Sequence, residues 1–260
     1  MKDYICIIGL DESQIAEIAA QVDAPIVSHM VLPQIQVDGG TLYVENQGRP
    51  KFVPVSKVVF HGIYADDMSF LAALALWGGA CLPNARAMMD CRLKLPCLVR
   101  ALEYTEFGEP LRGYVSANTT FYTKEERVAK WGNWHCGENK ARFDAQWRGD
   151  EPAIIEHFLP GTATRIVIIG DDHWQIRLEG DDWLKSIHHA AADFEAVDAD
   201  LLEDTRRIQQ GFGLELLAND YIVGEAGDKH LLEVNHIPNV TRFPAIWQAY
   251  RDYVIQWLQG

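Results

Sequence analysis

The sequence predicts an α+β protein led by a small α/β lobe. Two observations carry that expectation. The opening of the chain alternates apolar strand-length runs with helical patterns, one after the other. Beyond Pro83-Asn84, strand-length runs and turn residues recur with few long helical patterns between them. With 260 residues, 48% of them hydrophobic, the chain is long enough for two or three lobes sharing a cleft.

Taken in order, Tyr4–Leu10 reads as an apolar strand, and Asp11 with Gln14 three residues on is an N-cap signature opening a helix over Ile15–Val22. Ala24–Ser28 is expected as a second strand and Ser56–Ile63 as a buried one. Between them Gly39-Gly40 and YVENQGRPKFVPV suggest a hairpin excursion. Met68–Trp77 is an apolar helix stopped at Gly78-Gly79. Ala85–Tyr104 carries one continuous helical pattern studded with Arg86, Arg92, Lys94 and Arg100. Strands follow at Leu111–Ala117, Ile154–Leu159, Arg165–Gly170 and Trp174–Leu178. Asp198–Gln210 is an amphipathic helix stopped by Gly211 and Gly213, Leu214–Val234 a strand pair, and Phe243–Gln259 a closing amphipathic helix.

Composition excludes some functions. Basic residues number 23 and acidic ones 37, a formal charge of −14, which argues against nucleic acid as a partner because such binders need a basic face. The five cysteines are scattered, with no CxxC pair, as expected of reduced thiols in a cytoplasmic protein. No window approaches a membrane span, and the first apolar run lacks the basic lead of a signal segment.

The most informative stretch is NDYIVGEAGDKHLLEVNHIPN. Two apolar segments flank Gly227-Asp228, a hairpin turn signal, and centring the turn there sets Asp220 opposite Asn235. Glu233 and Asn235, two apart, share a strand face. Two carboxylates and an amide gathered so suit Mg²⁺ or Mn²⁺ bridging nucleotide phosphates, since these hard ions prefer oxygen. An exposed acidic hairpin end is the plainer alternative.

LLEVNHIPN, with Asp220 about a dozen residues earlier, resembles the Glu-x-Asn-x-x-Pro element of ATP-grasp ligases such as glutathione synthetase and the glutamate-adding protein ligases. The resemblance runs over residues 80 to 240 and implies metal roles for Asp220, Glu233 and Asn235. PNARAMMDCRLKL is similar to the fold's opening helix, whose lysine, here Lys94, reaches the α-phosphate; a solvated basic helix face is the alternative. RVAKWGNWHCGENK resembles the strand lysine and glycine-rich flap over the phosphates, matching Lys130, Gly132 and Gly137, although Trp131, Trp134, His135 and Cys136 also suit an ordinary aromatic loop. AIIEHFLPG resembles the strand that receives adenine, with Glu156, His157 and Phe158 at the base edge. Arg165 matches an arginine on the phosphate or acyl side of the cleft, while Arg177 and Lys185 are weaker anchors for phosphate or the acceptor acid; a surface salt bridge is the alternative for each. Three positions depart from the ligase pattern: Ala163 for Asp, Ile187 for Asn and Asn239 for Gly.

The resemblance implies an ATP-grasp fold, two α+β lobes gripping the nucleotide behind a pre-ATP-grasp α/β lobe. The expected division is residues 1–82 for that lobe and 83–260 for the grasp region, with a central flap lobe at about 110–158 and a metal-site lobe at about 159–260. It implies a carboxylate–amine or carboxylate–thiol ligase, with ATP and Mg²⁺ or Mn²⁺, working through an acyl-phosphate and releasing ADP and phosphate. Lys130 and Arg165 are the expected catalytic residues. Small-molecule and peptide carboxylates and amines are all open as substrates. Trp174, Trp183, His188 and Phe243 line an acceptor pocket or belong to the core. A homodimer is compatible with the family. Two other readings stand beside the ligase: a non-catalytic nucleotide-binding or regulatory module, and a phosphohistidine-type phosphotransferase using His135 and Cys136, or His188-His189.

Overall fold

A computed structural model of the chain describes residues 3–132 and 139–260. The first lobe starts with β1 (Tyr4–Ile8), whose unbroken apolar run is buried on both faces, as a central parallel strand requires. In α1 (Glu12–Ala19) the expected capping box is complete: the Asp11 carboxylate accepts from the Gln14 N–H at 2.9 Å, and the Gln14 side chain accepts from the Asp11 N–H at 2.9 Å. After β2 (Ile26–His29), β3 (Ile35–Asp38) and β4 (Thr41–Glu45) form a hairpin with Asp38 opposite Thr41. Its turn needs positive φ at both central residues, which Gly39 (54°) and Gly40 (77°) supply. The expected hairpin strand and the buried strand after it are one element, β5 (Phe52–Phe60). Its first half pairs antiparallel with β4 and its second half parallel with β1. α2 (Asp67–Trp77) ends at left-handed Gly78 as predicted, and β6 (Ala80–Leu82), not foreseen, adds to β5. The sheet order is β2-β1-β5-β4-β3.

The single helix expected over Ala85–Tyr104 is two, α3 (Ala85–Cys91) and α4 (Lys94–Ala101). Pro96 is the reason: in a continuous helix its ring would collide with the Arg92 carbonyl four residues back. The chain breaks at Leu93, extended at φ −90° and ψ 121°, and Pro96 falls in the first turn of α4, where its missing N–H costs nothing.

A small antiparallel sheet follows, built from β7 (Gly113–Val115), β9 (Arg127–Trp131), β10 (Lys140–Phe143) and β12 (Ala153–His157) in the order β10-β9-β12-β7. β8 (Phe121–Tyr122) and β11 (Gln146–Trp147) make a separate two-stranded ladder. Four buried residues, Val115, Ala129, Ala153 and Ile155, form the core here, sealed by Phe121, Trp131, Phe143 and Trp147.

The last sheet is wholly antiparallel, in the order β15-β14-β13-β16-β17: β13 (Thr162–Ile169), β14 (Asp172–Arg177), β15 (Asp193–Glu195), β16 (Leu216–Val223) and β17 (Lys229–Asn235). α5 (Ala199–Phe212) runs through Gly211, foreseen as a stop, and ends at left-handed Gly213. Strand alternation divides the chemistry cleanly. Ile166 and Ile168 of β13, with Leu217 and Tyr221 of β16, face α5. Ala163 and Val167, with Leu216 and Ala218, face the other way, into a core shared with Ile5, Ile7, Val59 and Leu82 of the first lobe. α6 (Pro244–Gln259) completes that shared core with Ile246, Tyr250, Val254 and Leu258. Its C-terminal carbonyls are capped by Lys57, whose Nζ donates to Trp257 O at 2.9 Å and Leu258 O at 3.0 Å.

Candidate active site

Arg165 and Asp220 lie on the strand face opposite α5 and form a cross-strand pair. The guanidinium forks onto the carboxylate, Nε to Oδ1 at 2.6 Å and Nη2 to Oδ2 at 2.8 Å. Burial alone would lower the Arg165 pKa, but Asp220 and Glu233 raise it above its ordinary value, so it is a permanent cation.

Asp220 stands opposite Glu233, not opposite Asn235 as the hairpin estimate had it; Asn235 pairs with Ala218. The cause is a β-bulge. Tyr221 pairs with Leu231 and Asp220 with Glu233, so Leu232 is the extra residue on β17. The bulge changes which residues face the cleft: Leu231 and Val234 both pack toward α5, while Leu232, Glu233 and Asn235 all line the cleft.

A cavity of about 400 Å³ opens over these residues. Its walls come from two sheets and a loop of the first lobe: Lys130 and Lys140 from β9 and β10, Glu156 from β12, Arg165 from β13, Asp220, Glu233 and Asn235 from the last hairpin, and Ile63 from the loop after β5. Lys130 is buried, with Nζ 2.5 Å from Glu156 Oε2 and 3.2 Å from the Leu232 carbonyl, the one freed by the bulge. Desolvation lowers its pKa despite Glu156. Glu156 is clamped from the other side by Arg112 Nε at 2.7 Å. Burial pushes the Glu156 carboxyl up, but the two cations together outweigh it and hold it below the usual range. Lys140, directly across the ladder from Lys130, donates to Glu233 Oε2 at 3.2 Å. Lys94, at the first position of α4, points its Nζ toward Glu233 Oε1 at 3.9 Å and has no hydrogen-bond acceptor among the described residues. Burial brings its pKa down to about 8 although Glu233 opposes the shift.

Five cations, Lys94, Arg112, Lys130, Lys140 and Arg165, therefore surround three carboxylates in a chain whose formal charge is −14. Such a local positive field suits a polyanion. The donor set for a hard divalent ion is also present. Asp220 and Glu233 keep lone pairs beyond those their cations occupy. Asn235 is buried, and its amide nitrogen has no partner among the described residues. No cluster of three His, Cys, Asp or Glu side chains placed to hold a metal occurs among the described residues, so an ion here would use the two carboxylates with the amide oxygen.

No family model matches the chain, and no curated protein is similar enough in sequence to match. Solved structures do match along its whole length. D-alanyl-alanine synthetase A from Vibrio cholerae O1 biovar eltor superposes with a TM-score of 0.71 at 12% identity, over 99% of this chain and 98% of that one. The chain has the ATP-grasp fold. The ATP-grasp ligase PsnB, solved with Mg, ADP and a phosphomimetic variant of its minimal precursor, superposes at 0.65 with 15% identity, over 99% of this chain and all of that one. The macrocyclase MdnC from Microcystis aeruginosa, bound to the precursor peptide MdnA, gives 0.65 at 13% identity over 97% and 99% of the two chains.

Within the ATP-grasp fold the cleft gathers Lys130, Glu156, His157, Phe158, Arg165, Asp220, Glu233 and Asn235, with Lys94 buried behind Glu233. The Glu156 carboxylate is engaged by Lys130 and Arg112, and the Phe158 N–H donates to the Glu126 carbonyl at 3.1 Å, while Leu159 lines the cleft. Phe158 instead offers a ring face, covered on one side by the Arg142 guanidinium 3.8 Å from its centroid and met edge-on by Trp183. Of the aromatic candidates, Trp183 and His188 line the cleft, whereas Trp174 and Phe243 pack in the shared core. Arg177 pairs with Glu179 on the surface, and Lys185 lines the cleft with Nζ on the Gly180 carbonyl at 3.0 Å. Ala163, Ile187 and Asn239, the departures from the ligase pattern, all line the cleft. His189 lies 3.3 Å from Asp181; Trp134, His135, Cys136 and Gly137 fall outside the described residues. Lys140 and Arg112 were missed in the sequence. Lys140 had a signal, its place at the end of RVAKWGNWHCGENK; Arg112 had none.

Proposed function

We propose that the chain is an ATP-dependent ligase that joins a carboxylate to an amine or thiol through an acyl-phosphate. One observation carries this reading: Asp220, Glu233 and Asn235 converge on one cleft with Lys130, Lys140 and Arg165, a hard-cation donor set beside a field for phosphates. Asp220, Glu233 and Asn235 would hold Mg²⁺ or Mn²⁺, which would supply charge neutralisation for the nucleotide phosphates. Lys130 and Lys140 offset the charge of the β- and γ-phosphates, and Lys94 that of the α-phosphate. Arg165 orients the substrate carboxylate for attack on the γ-phosphorus, releasing ADP. The amine or thiol then displaces phosphate from the acyl carbon. The protein's share is positioning and charge stabilisation, with the buried Glu156 fixing Lys130 in place.

A second reading has one observation in its favour. Ala163 and Ile187 put apolar side chains on the cleft where the resembling ligases carry Asp and Asn, as a binding module without turnover would tolerate. Hydroxylamine separates the two. A ligase incubated with ATP, a carboxylic acid and hydroxylamine releases ADP and accumulates the hydroxamate, and Glu233→Ala forms none. ATP binding with neither product for any acid would establish the module.

A further inference from the structure

The cleft has two chemically different ends. Leu232, Glu233 and Asn235 of β17 line it, as do Ile237 and Asn239 beyond the strand's end. At one extreme the Leu232 carbonyl is bonded by Lys130 of the central sheet; at the other, Ile237 packs against the core of the first lobe. Lys130, Glu156 and Phe158 thus mark one end, and Ile63 with Ile237 the other. The first-lobe end is walled by Ile63, Ile187 and Ile237, with His188 and Asn239 3.3 Å apart as its polar groups. None of these five is a carboxylate, lysine or arginine. Lys185, from the same wall as Ile187, belongs to the loop whose Trp183 meets Phe158. Arg242 lies beside this end, but its guanidinium rests on the Phe243 ring, 4.9 Å from the centroid.

Ile63 is held in place. Asp67, fully buried, accepts the Tyr64 N–H at 2.9 Å and Arg92 Nε at 2.5 Å, while Arg92 Nη2 donates to the Tyr64 carbonyl at 2.7 Å. This clamp fixes the loop from both sides of Tyr64. The apolar surface also continues outward: the Tyr64 hydroxyl donates to the Met30 carbonyl at 3.3 Å, and Met30 and Val31 are 56% and 68% exposed.

We propose that the first-lobe end of the cleft is the subsite for the body of the carboxylic acid substrate, and that it selects an apolar body carrying no second charge. A second carboxylate or an ammonium there would be desolvated against isoleucines, with no opposite charge among the five described residues that wall it, whereas a branched alkyl chain gains from burial. The subsite rests on the ligase reading, since Arg165 is what would hold the reacting carboxylate.

The test uses the full-length protein saturated with Mg·AMPPNP, and the protein without nucleotide, titrated calorimetrically with 4-methylpentanoate and with glutarate. The subsite predicts at least about tenfold tighter binding of 4-methylpentanoate, the discrimination that a few apolar contacts give. Ile63→Arg, which supplies a countercharge, should reverse the preference in the AMPPNP-saturated protein. Equal or tighter binding of glutarate by the wild type overturns the proposal, as does an Ile63→Arg variant that folds, binds AMPPNP and keeps the wild-type preference. Absence of binding by either acid to the AMPPNP complex also overturns it. Failure of AMPPNP itself to bind counts against the ligase reading, and the nucleotide-free titrations then still decide the subsite.

Discussion

Lys130 and Glu156 show how single side chains set the chemistry. Each is buried, and each is tolerable only because the other and Arg112 are there. Lys130→Met leaves Glu156 with Arg112 alone and is expected to lower stability by about 3 kcal/mol, measured by urea unfolding. His61 makes a pH prediction. Burial lowers its pKa from 6.5 to about 4, and its Nδ1 has no partner among the described residues. The unfolded chain binds a proton there below about 6.5 that the folded chain refuses until about 4. Stability should fall as pH drops through that window and level off below it; His61→Gln should flatten that part of the profile, whatever its absolute stability. At this scale the sequence was most legible where chemistry imposes spacing. Asp220, Glu233 and Asn235 were readable because two strands and a turn fix their meeting. Arg112 was not, because a lone cation reveals its partner only in three dimensions, and Lys140 was marked only by its place after the glycine-containing stretch. Trp174 and Phe243 could not be told from cleft residues, since an aromatic ring serves a core and a pocket equally well.

At the scale of elements, three local devices aim the site. The bulge at Leu232 puts Leu232 and Glu233 on the same side and frees a carbonyl for Lys130. Turn chemistry alone could not reveal it, which is why the predicted register set Asp220 against Asn235. Pro96 breaks the predicted long helix so that Arg92 turns into Asp67 and Lys94 toward Glu233. That break was legible in principle from Pro96, although the helical period continues across it. The loop carrying Trp183 is a third device. Ser186 N–H donates to the Glu179 carbonyl at 2.8 Å, and a Cβ on Gly180 would lie 2.1 Å from the Leu184 carbonyl oxygen. Gly180→Ala must therefore push the loop apart. It should cost about 1–3 kcal/mol in thermal unfolding and change the Trp183 fluorescence, identified by comparison with Trp183→Phe.

Across the whole molecule, α6 binds the first sheet to the last: Tyr250 is fully buried in a core that includes Ile7 and Val59 from one and Val167 and Leu216 from the other. The two sheets are therefore expected to unfold together, with calorimetric and van't Hoff enthalpies in agreement for that transition. Tyr250→Ala should lower stability by about 3–5 kcal/mol and shift both sheets alike. The α/β opening and the antiparallel remainder were readable from periodicity, because both depend on patterns repeated over many residues. The core shared by the first and last sheets was not, since nothing local joins residue 5 to residue 250.

The central claim is that the Asp220, Glu233 and Asn235 cluster, with its surrounding cations, holds a metal-bound nucleotide. Calorimetric titration of AMPPNP, with and without Mg²⁺, into the wild type and Glu233→Ala tests it most directly. The account predicts saturable one-site binding that strengthens with Mg²⁺, and a Glu233→Ala variant that folds normally but has lost the Mg²⁺ enhancement. Metal-independent binding, or a variant that keeps the full enhancement, would contradict it.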